Sequence, residues 1–378
     1  MSATVDLVVV GSGIVGLGAA DAAARRGLRV IVVDRTAYPR GCDHPQFRAP
    51  LHRCANRHGE DFADAGREHW LRLSADAGFW LRASGTLVAA REDDELALLA
   101  RAADDGGMRM LDAAEVQERA PLRRGAVTGG ALIEPDLQTD PREAAAAIVR
   151  HLAARGVEFR FRTAVTAVRS GVVETTRGSI AADRIVVAVN HDVDQLLPEL
   201  AERVGVERCA LDMMRVAADL PAPLTAPLLT GWSLVRYGRF GVLPEAAALR
   251  ARLHDERPDL AALDLNQMYT QLPDGSLILG DSHAKAVQPG PFQPELAFDV
   301  FLDEARALFA VDRLRVLERW QGVYATGPAE FLIEEPEPGV HVIAATTGIG
   351  MTCGFGLAEH TIHHAYDRAS QPAQGGIS

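Results

Sequence analysis

The apolar positions of this chain form short unbroken runs near its two ends, with helical spacing between them. Residues Val5–Val10 read Val-Asp-Leu-Val-Val-Val, and their length and β-branched content predict a buried parallel strand. From about Val15 to Arg26 the apolar residues recur at helical spacing, and Gly27 stands where a helix C-cap is expected. A second run, Arg29 to Val33, ends in Asp34. Near the other terminus, residues 340–345 predict another buried strand. A glycine-rich turn from Thr346 to Gly356 and a helix from about Leu357 to Tyr366 follow it. Between these ends, Thr163–Val168, Arg184–Asn190 and Ser276–Leu279 read as strands, and residues 245–264 as an amphipathic helix with a charged outer face. The expected fold class is α/β and α+β, and 378 residues suit two interleaved domains better than one small core.

Composition narrows this picture. No apolar run approaches the roughly 20 residues of a membrane helix, and the opening Met1–Asp6 has neither a basic stretch nor a cleavage pattern. A cytoplasmic protein with no membrane partner is expected. The net charge of −12 repels phosphate backbones, which argues against a nucleic-acid partner. The four cysteines (Cys42, Cys54, Cys209 and Cys353) form no CxxC pair, and His52, His58 and His69 lack ligand spacing. No metal site is therefore expected, and free thiols in a reducing compartment fit best. Lys285 is the single lysine among 39 basic residues, which singles it out.

The first turn carries the clearest chemistry: Gly11-Ser12-Gly13-Ile14-Val15-Gly16 between a strand and a helix. Gly11 permits a tight turn, Gly13 lets the backbone approach a pyrophosphate, and Gly16 lets the helix pack close to the strand. The helix N-terminus then offers free N–H groups and a positive dipole end to phosphate. Asp34, 18 residues beyond Gly16 and followed by Arg35, stands where an acid accepts hydrogen bonds from ribose hydroxyls and disfavours a 2′-phosphate. These features specify a dinucleotide but do not separate FAD from NAD. The second turn, Gly348-Ile349-Gly350-Met351-Thr352, separates them. It supplies a distant second helix end, which in a flavoenzyme stabilises negative charge at the flavin N1/C2=O. A nicotinamide enzyme has no need of it. Val165, on a middle strand, is positioned to brace an adenine.

On these residues, Gly11 to Asp34 and Gly348 to Gly354 above all, the chain resembles the D-amino-acid-oxidase-type FAD-dependent oxidoreductases of the glycine oxidase and sarcosine oxidase group, over essentially its whole length. The resemblance implies a discontinuous Rossmann-type FAD domain, expected at residues 1–80, 140–208 and 320–378. It also implies a substrate domain with a mixed or antiparallel sheet and helices, expected at 81–139 and 209–319. Residues 111–115, 213–215, 280–283 and 319–325 look most like a bacterial subfamily associated with aminophosphonate metabolism.

The resemblance also implies site residues. Gly41 to Arg48 has the spacing of the sarcosine-oxidase segment Gly-Ser-Ser-His-Gly-Asp-Thr-Arg, which places Arg48 against the flavin face with His44 nearby. It departs from the aminophosphonate subfamily. His283 and Lys285, on one side of a strand expected to cross the flavin, would orient substrate or move a proton and assist oxygen activation. Where glycine-oxidase relatives carry Gly-x-Arg-Pro, whose arginine clamps a carboxylate, this chain has Gly322-Val323-Tyr324-Ala325. Tyr324 can donate one hydrogen bond, so another arginine must hold an anionic substrate: Arg215, Arg236 or Arg239, with Trp232 and Tyr237 as aromatic walls. The implied reaction is oxidation of a C–N bond in a small anionic amine, with molecular oxygen or an electron carrier as acceptor. The alternatives are a flavin dehydrogenase of a hydroxy or amino acid and a non-catalytic flavin-binding subunit. A homodimer is among the expected arrangements.

Overall fold

A computed structural model describes residues 4–39, 57–104 and 106–367. His44 and Arg48, with Cys42 and Cys54, lie outside the described residues. The N-terminal βαβ unit forms where the apolar runs put it: strand Val5–Val10, helix Ile14–Arg25, strand Val30–Val33. Strand Val5–Val10 is flanked in parallel by Val30–Val33 and by Gly178–Val187. Glu158–Arg160 and Val340–Thr347 extend the parallel set on either side. The central strands Val5–Val10 and Val30–Val33 are rich in valine and isoleucine because helices cover one face and a small antiparallel ribbon and short helices the other.

Beyond Val340–Thr347 the sheet changes sense. The long strand Leu314–Glu337 pairs antiparallel with it and with Glu207–Ala218, which pairs antiparallel with Leu277–Ala286. Met268–Gln271, Leu228–Leu229, Thr86–Ala90, Gly129–Ile133 and Met108–Asp112 continue to the far edge of the 15-stranded mixed sheet. The hydrophobic core divides accordingly. One part gathers Leu7, Leu17, Trp70, Ile148 and Phe355 around the parallel strands, and another gathers Leu87, Met213, Tyr269, Leu279 and Phe298 around the antiparallel ones.

The C-terminal helix spans Gly350–Asp367, beginning seven residues before the expected Leu357. Glycine is a poor helix former, which is why the pattern Gly350-Met-Thr-Cys-Gly354-Phe-Gly356 reads as a turn. Packing overrides that preference. A Cβ on Gly356 would lie 2.2 Å from the Phe62 carbonyl oxygen, and one on Gly354 3.2 Å from Val15 Cγ2. The glycines are thus the contact face of the helix, against helix Arg57–Ala77 on one side and helix Ile14–Arg25 on the other. Trp70 locks the first contact. Its indole N–H donates to the Met351 carbonyl at 2.8 Å, and its ring meets Phe355 edge-on at 4.8 Å.

Two further elements differ from expectation. The amphipathic stretch 245–264 is two helices, Pro244–Glu256 and Pro258–Ala262, because Pro258 disfavours a helical conformation at Arg257. The strand from Ser276 continues through His283 and Lys285 to Ala286. Among the described residues, no helix is long and apolar enough to cross a membrane.

Candidate active site

A cavity of about 930 Å³ runs across the carboxyl ends of the parallel strands, where open α/β sheets bind ligands. Two helix N-termini converge on it. Gly11 to Val15 line one part and Gly348, Gly350 and Met351 another. The Ile14–Arg25 helix carries no side-chain cap at Gly13 and no acid in its first turn, so its amide donors remain for a ligand. The glycines here are required by contact. A Cβ on Gly16 would lie 2.0 Å from the Gly11 carbonyl oxygen, and one on Gly11, at φ +104°, 2.5 Å from that of Ala188.

Asp34 closes the nucleotide end. Its Oδ2 accepts from the Ser12 N–H at 2.8 Å and the Ser12 hydroxyl at 2.6 Å, and its Oδ1 from the Thr36 N–H at 2.8 Å and hydroxyl at 2.7 Å. The two backbone donors fix the carboxylate. The two hydroxyls rotate freely, so they can yield a lone pair each to ribose hydroxyls. Val165 lines the cavity beside Thr163, Ala164 and Thr166, and Arg35 lines it while donating to Asp192 at 2.5 Å. The fold therefore fits a dinucleotide, with anion-accepting helix ends and a ribose-facing acid in one continuous space.

Tyr324 lines the cavity at its other end, near the second turn: a Cβ on Gly348 would lie 3.0 Å from its hydroxyl. Around it stands a partly buried polar cluster. Arg236, after the short helix Gly231–Leu234, donates to Asp264 at 2.8 Å. Burial works against its charge, but Tyr324, Asp264 and Asp281 together outweigh that and raise its pKa. Burial would raise the Asp264 carboxyl too, yet Arg236, His283 and Lys285 hold it below its usual value. Burial pushes both the Tyr324 phenol and the Cys209 thiol up, and the two hydrogen-bond to each other. His283 is buried with its ring between Asp264 and Asp281, while Lys285, two residues on, is exposed and its charge reaches Cys209 and Asp264. Tyr237 faces the Asn266 amide at 3.4 Å.

The structure thus brings Tyr324, Arg236, Tyr237, His283 and Lys285 to one neighbourhood. It does not bring Arg215 there. That side chain bonds Ser276, Asp274 and Glu318, six residues along its strand from Cys209, or roughly 20 Å at the strand rise. Arg239 donates to the carbonyls of Ala102 and Gly106, and Trp232 stacks on His254 inside the second core. The sequence reading missed Asn190, Asp264 and Asp281. Asn190 adopts the left-handed conformation (φ 54°), and its side-chain oxygen accepts the Ala325 N–H at 2.6 Å, tying the end of a parallel strand to the residue after Tyr324. Its place directly after an apolar run was a usable signal. Asp264 and Asp281 had none.

Two helix ends and a pinned acid on one cavity, with Tyr324 and a cationic cluster next to it at the other end, fit an oxidoreductase that binds a flavin dinucleotide. The chain belongs to the DAO family of FAD-dependent oxidoreductases, whose model matches residues 6–364, and its cofactor is FAD. Its fold is similar to that of glycine oxidase from Bacillus cereus ATCC 14579, at 16% identity and a TM-score of 0.78, covering 97% of this chain and 96% of that one. It is similar to L-proline dehydrogenase from P. horikoshii, at 19% identity and a TM-score of 0.78, covering 97% and 95%. It is also similar to iminodiacetate oxidase from Chelativorans sp. BNC1, at 18% identity and a TM-score of 0.72, covering 98% and 97%. Comparison with curated protein sequences gives no match.

Proposed function

We propose that this protein oxidises the C–N bond of a small anionic primary or secondary amine: an amino acid, an N-methyl amine or an aminophosphonate. The observation that carries the reading is Arg236, a half-buried guanidinium whose charge acts on Tyr324, which lines the end of the cavity. It stands in for the arginine that relatives carry at the position of Tyr324. Asp264 takes one of its N–H groups, leaving others for a carboxylate or phosphonate. Tyr324 adds a hydroxyl donor to the same anion, and Tyr237 a wall. Held there, the substrate presents its α-C–H to the flavin side of the cavity with the reacting atoms already oriented. Bound FAD would supply the two-electron acceptor for that C–H bond, with oxygen taking the electrons onward as hydrogen peroxide. The imine product hydrolyses to a carbonyl compound and an amine or ammonia. Arg48 and Lys285 are assigned the positive charge near the flavin, and His44 a place beside Arg48.

Similarity to glycine oxidase and iminodiacetate oxidase supports an amine substrate. Similarity to L-proline dehydrogenase supports a second reading in which a carrier rather than oxygen takes the electrons. The test is the visible spectrum of the purified protein under argon, with a panel of amines that includes glycine, sarcosine and N-methylated aminophosphonates. Bleaching of the flavin band by one of them is the expected result. A flavin that no amine bleaches refutes the reading. Peroxide on admission of air separates the oxidase from the dehydrogenase.

A further inference from the structure

The long strand Leu314–Glu337 has a bare edge. It pairs with Glu207–Ala218 from Leu314 to Thr326, but with Val340–Thr347 only from Thr326 onward. Among the described residues, no strand lies beside the edge from Leu314 to Ala325, and Glu318, Trp320 and Tyr324 on that stretch line the cavity. The facing wall belongs to the parallel half of the sheet. There the segment Ala188–Asn190 lines the cavity and is fixed to the nucleotide turn. The Ala188 N–H donates to the Val10 carbonyl at 2.9 Å, and a Cβ on Gly11 would lie 2.5 Å from the Ala188 carbonyl oxygen.

Asn190 joins the two walls. Its Oδ1 accepts the Ala325 N–H at 2.6 Å and lies 3.3 Å from the neighbouring His191 Nδ1. An N–H can only donate, so the amide oxygen is the end that faces it. Ala325 is fully buried, so water cannot replace this acceptor. Asn190 reaches it from the left-handed conformation, φ 54°, which asparagine tolerates better than most residues with a side chain. The Ala325 N–H is thus spent on a side chain of the other wall and not on the strand ladder. Tyr324 is the residue before it. Pairing with Cys209 holds Tyr324 from the far side of its strand, and the Asn190 bond holds the cavity side. The Tyr324 hydroxyl sits against the second turn, 3.0 Å from where a Cβ on Gly348 would be. Where the hydroxyl reaches therefore depends on where this edge runs.

We propose that Asn190 is a positioning residue: by holding the Ala325 N–H it clasps the bare strand edge to the nucleotide half and so places the Tyr324 hydroxyl for the substrate anion. This rests on the reading above, in which that hydroxyl donates to the anion. Asn190 acts through Tyr324 and takes no part in electron or proton transfer. The anion is held alike before and during reaction, so loosening the clasp weakens substrate binding and leaves the limiting rate of flavin reduction unchanged.

The experiment is anaerobic flavin reduction by the anionic amine that bleaches the native protein, resolved into a substrate Kd and a limiting rate constant. It compares native protein with Asn190→Gly, Asn190→Asp, Ala325→Pro, Tyr324→Phe and the double variant N190G/Y324F. Y324F loses a hydrogen bond to a charged group, so its Kd is expected to rise roughly 10- to 150-fold. N190G keeps the left-handed backbone accessible but removes the acceptor. Its Kd should rise as well, by no more than that of Y324F, with a native limiting rate. The double variant should match Y324F alone, because the two residues act through one hydroxyl. N190D keeps both the acceptor and the backbone conformation and should restore the native Kd. A325P removes the donor in place of the acceptor; that N–H is outside the ladder, so proline costs no strand bond there. A325P should behave as N190G does, and it carries the test if N190G does not retain FAD. A native Kd in both N190G and A325P, or a loss in N190G that adds to that of Y324F, overturns the proposal and leaves amine oxidation standing. If no amine reduces the native protein, the reading under Proposed function fails, and this proposal with it.

Discussion

Replacing Arg236 by lysine tests the assignment of the anion anchor most directly. The guanidinium is half-buried, and one of its N–H groups is taken by Asp264 at 2.8 Å. Lysine keeps the positive charge, so Asp264 and the His283–Asp281 pair still face a cation. What is lost is the planar fork that can bond Asp264 and a substrate anion together. Losing one charge-assisted hydrogen bond costs about 1.5–3 kcal/mol. At about 1.4 kcal/mol per decade, kcat/KM falls roughly 10- to 150-fold. The loss belongs to the anion, so it is absent for a substrate of the same shape without one. Anaerobic flavin reduction by glycine and by glycinamide, or by another amino acid and its amide, makes the comparison. R236K is expected to lose the carboxylate substrate by that factor and to treat the amide as native protein does. An equal loss for both would mean that Arg236 acts through Asp264 and His283 rather than on the anion. No loss for either would remove it from the site.

The cofactor end gives a second expectation: Gly16→Val forces side-chain atoms into the Gly11 carbonyl, which a Cβ alone would approach to 2.0 Å, and the purified variant should be colourless. A variant as yellow as native protein would refute the tight turn as the reason for that glycine. Trp70→Ala removes a fully buried indole and leaves the Met351 carbonyl without its donor, costing about 3–5 kcal/mol of stability in denaturant unfolding. It should also weaken FAD retention, since Met351 lines the cavity. Glu95 is buried, and burial raises its pKa above 4.5 despite the Arg91 N–H and Arg252. The folded state thus favours the protonated form. The penalty is absent below pH 4.5, grows as pH rises from there, and is complete above the raised folded-state value. Glu95→Gln should therefore raise the thermal midpoint at pH 8 and leave it unchanged near pH 4; a rise confined to acid pH would reverse the assignment.

The nucleotide half of this molecule was legible because its chemistry is backbone chemistry. A turn that must pass close to phosphate excludes side chains, so Gly11, Gly13 and Gly16 appear in order between two apolar runs, and Asp34 follows where the second strand ends. The other end of the site uses side chains from separated segments. Arg236, Asp264, Asp281 and Tyr324 come from four elements, and the antiparallel half of the sheet alone brings them together. Tyr324 was visible as a departure from the pattern of relatives, and that departure directed attention to other arginines. Of the three named, only Arg236 reaches the cluster, because Arg215 and Arg239 are held by Asp274, Glu318 and backbone carbonyls that no local pattern announces. Asp281 was invisible for a further reason. Strand alternation assigns each residue a face, but the bulge between Gly280 and Ser282 breaks that alternation at this one position. A single extra residue thus turns an ordinary strand aspartate into a buried carboxylate against His283, a placement created by pairing geometry rather than by composition.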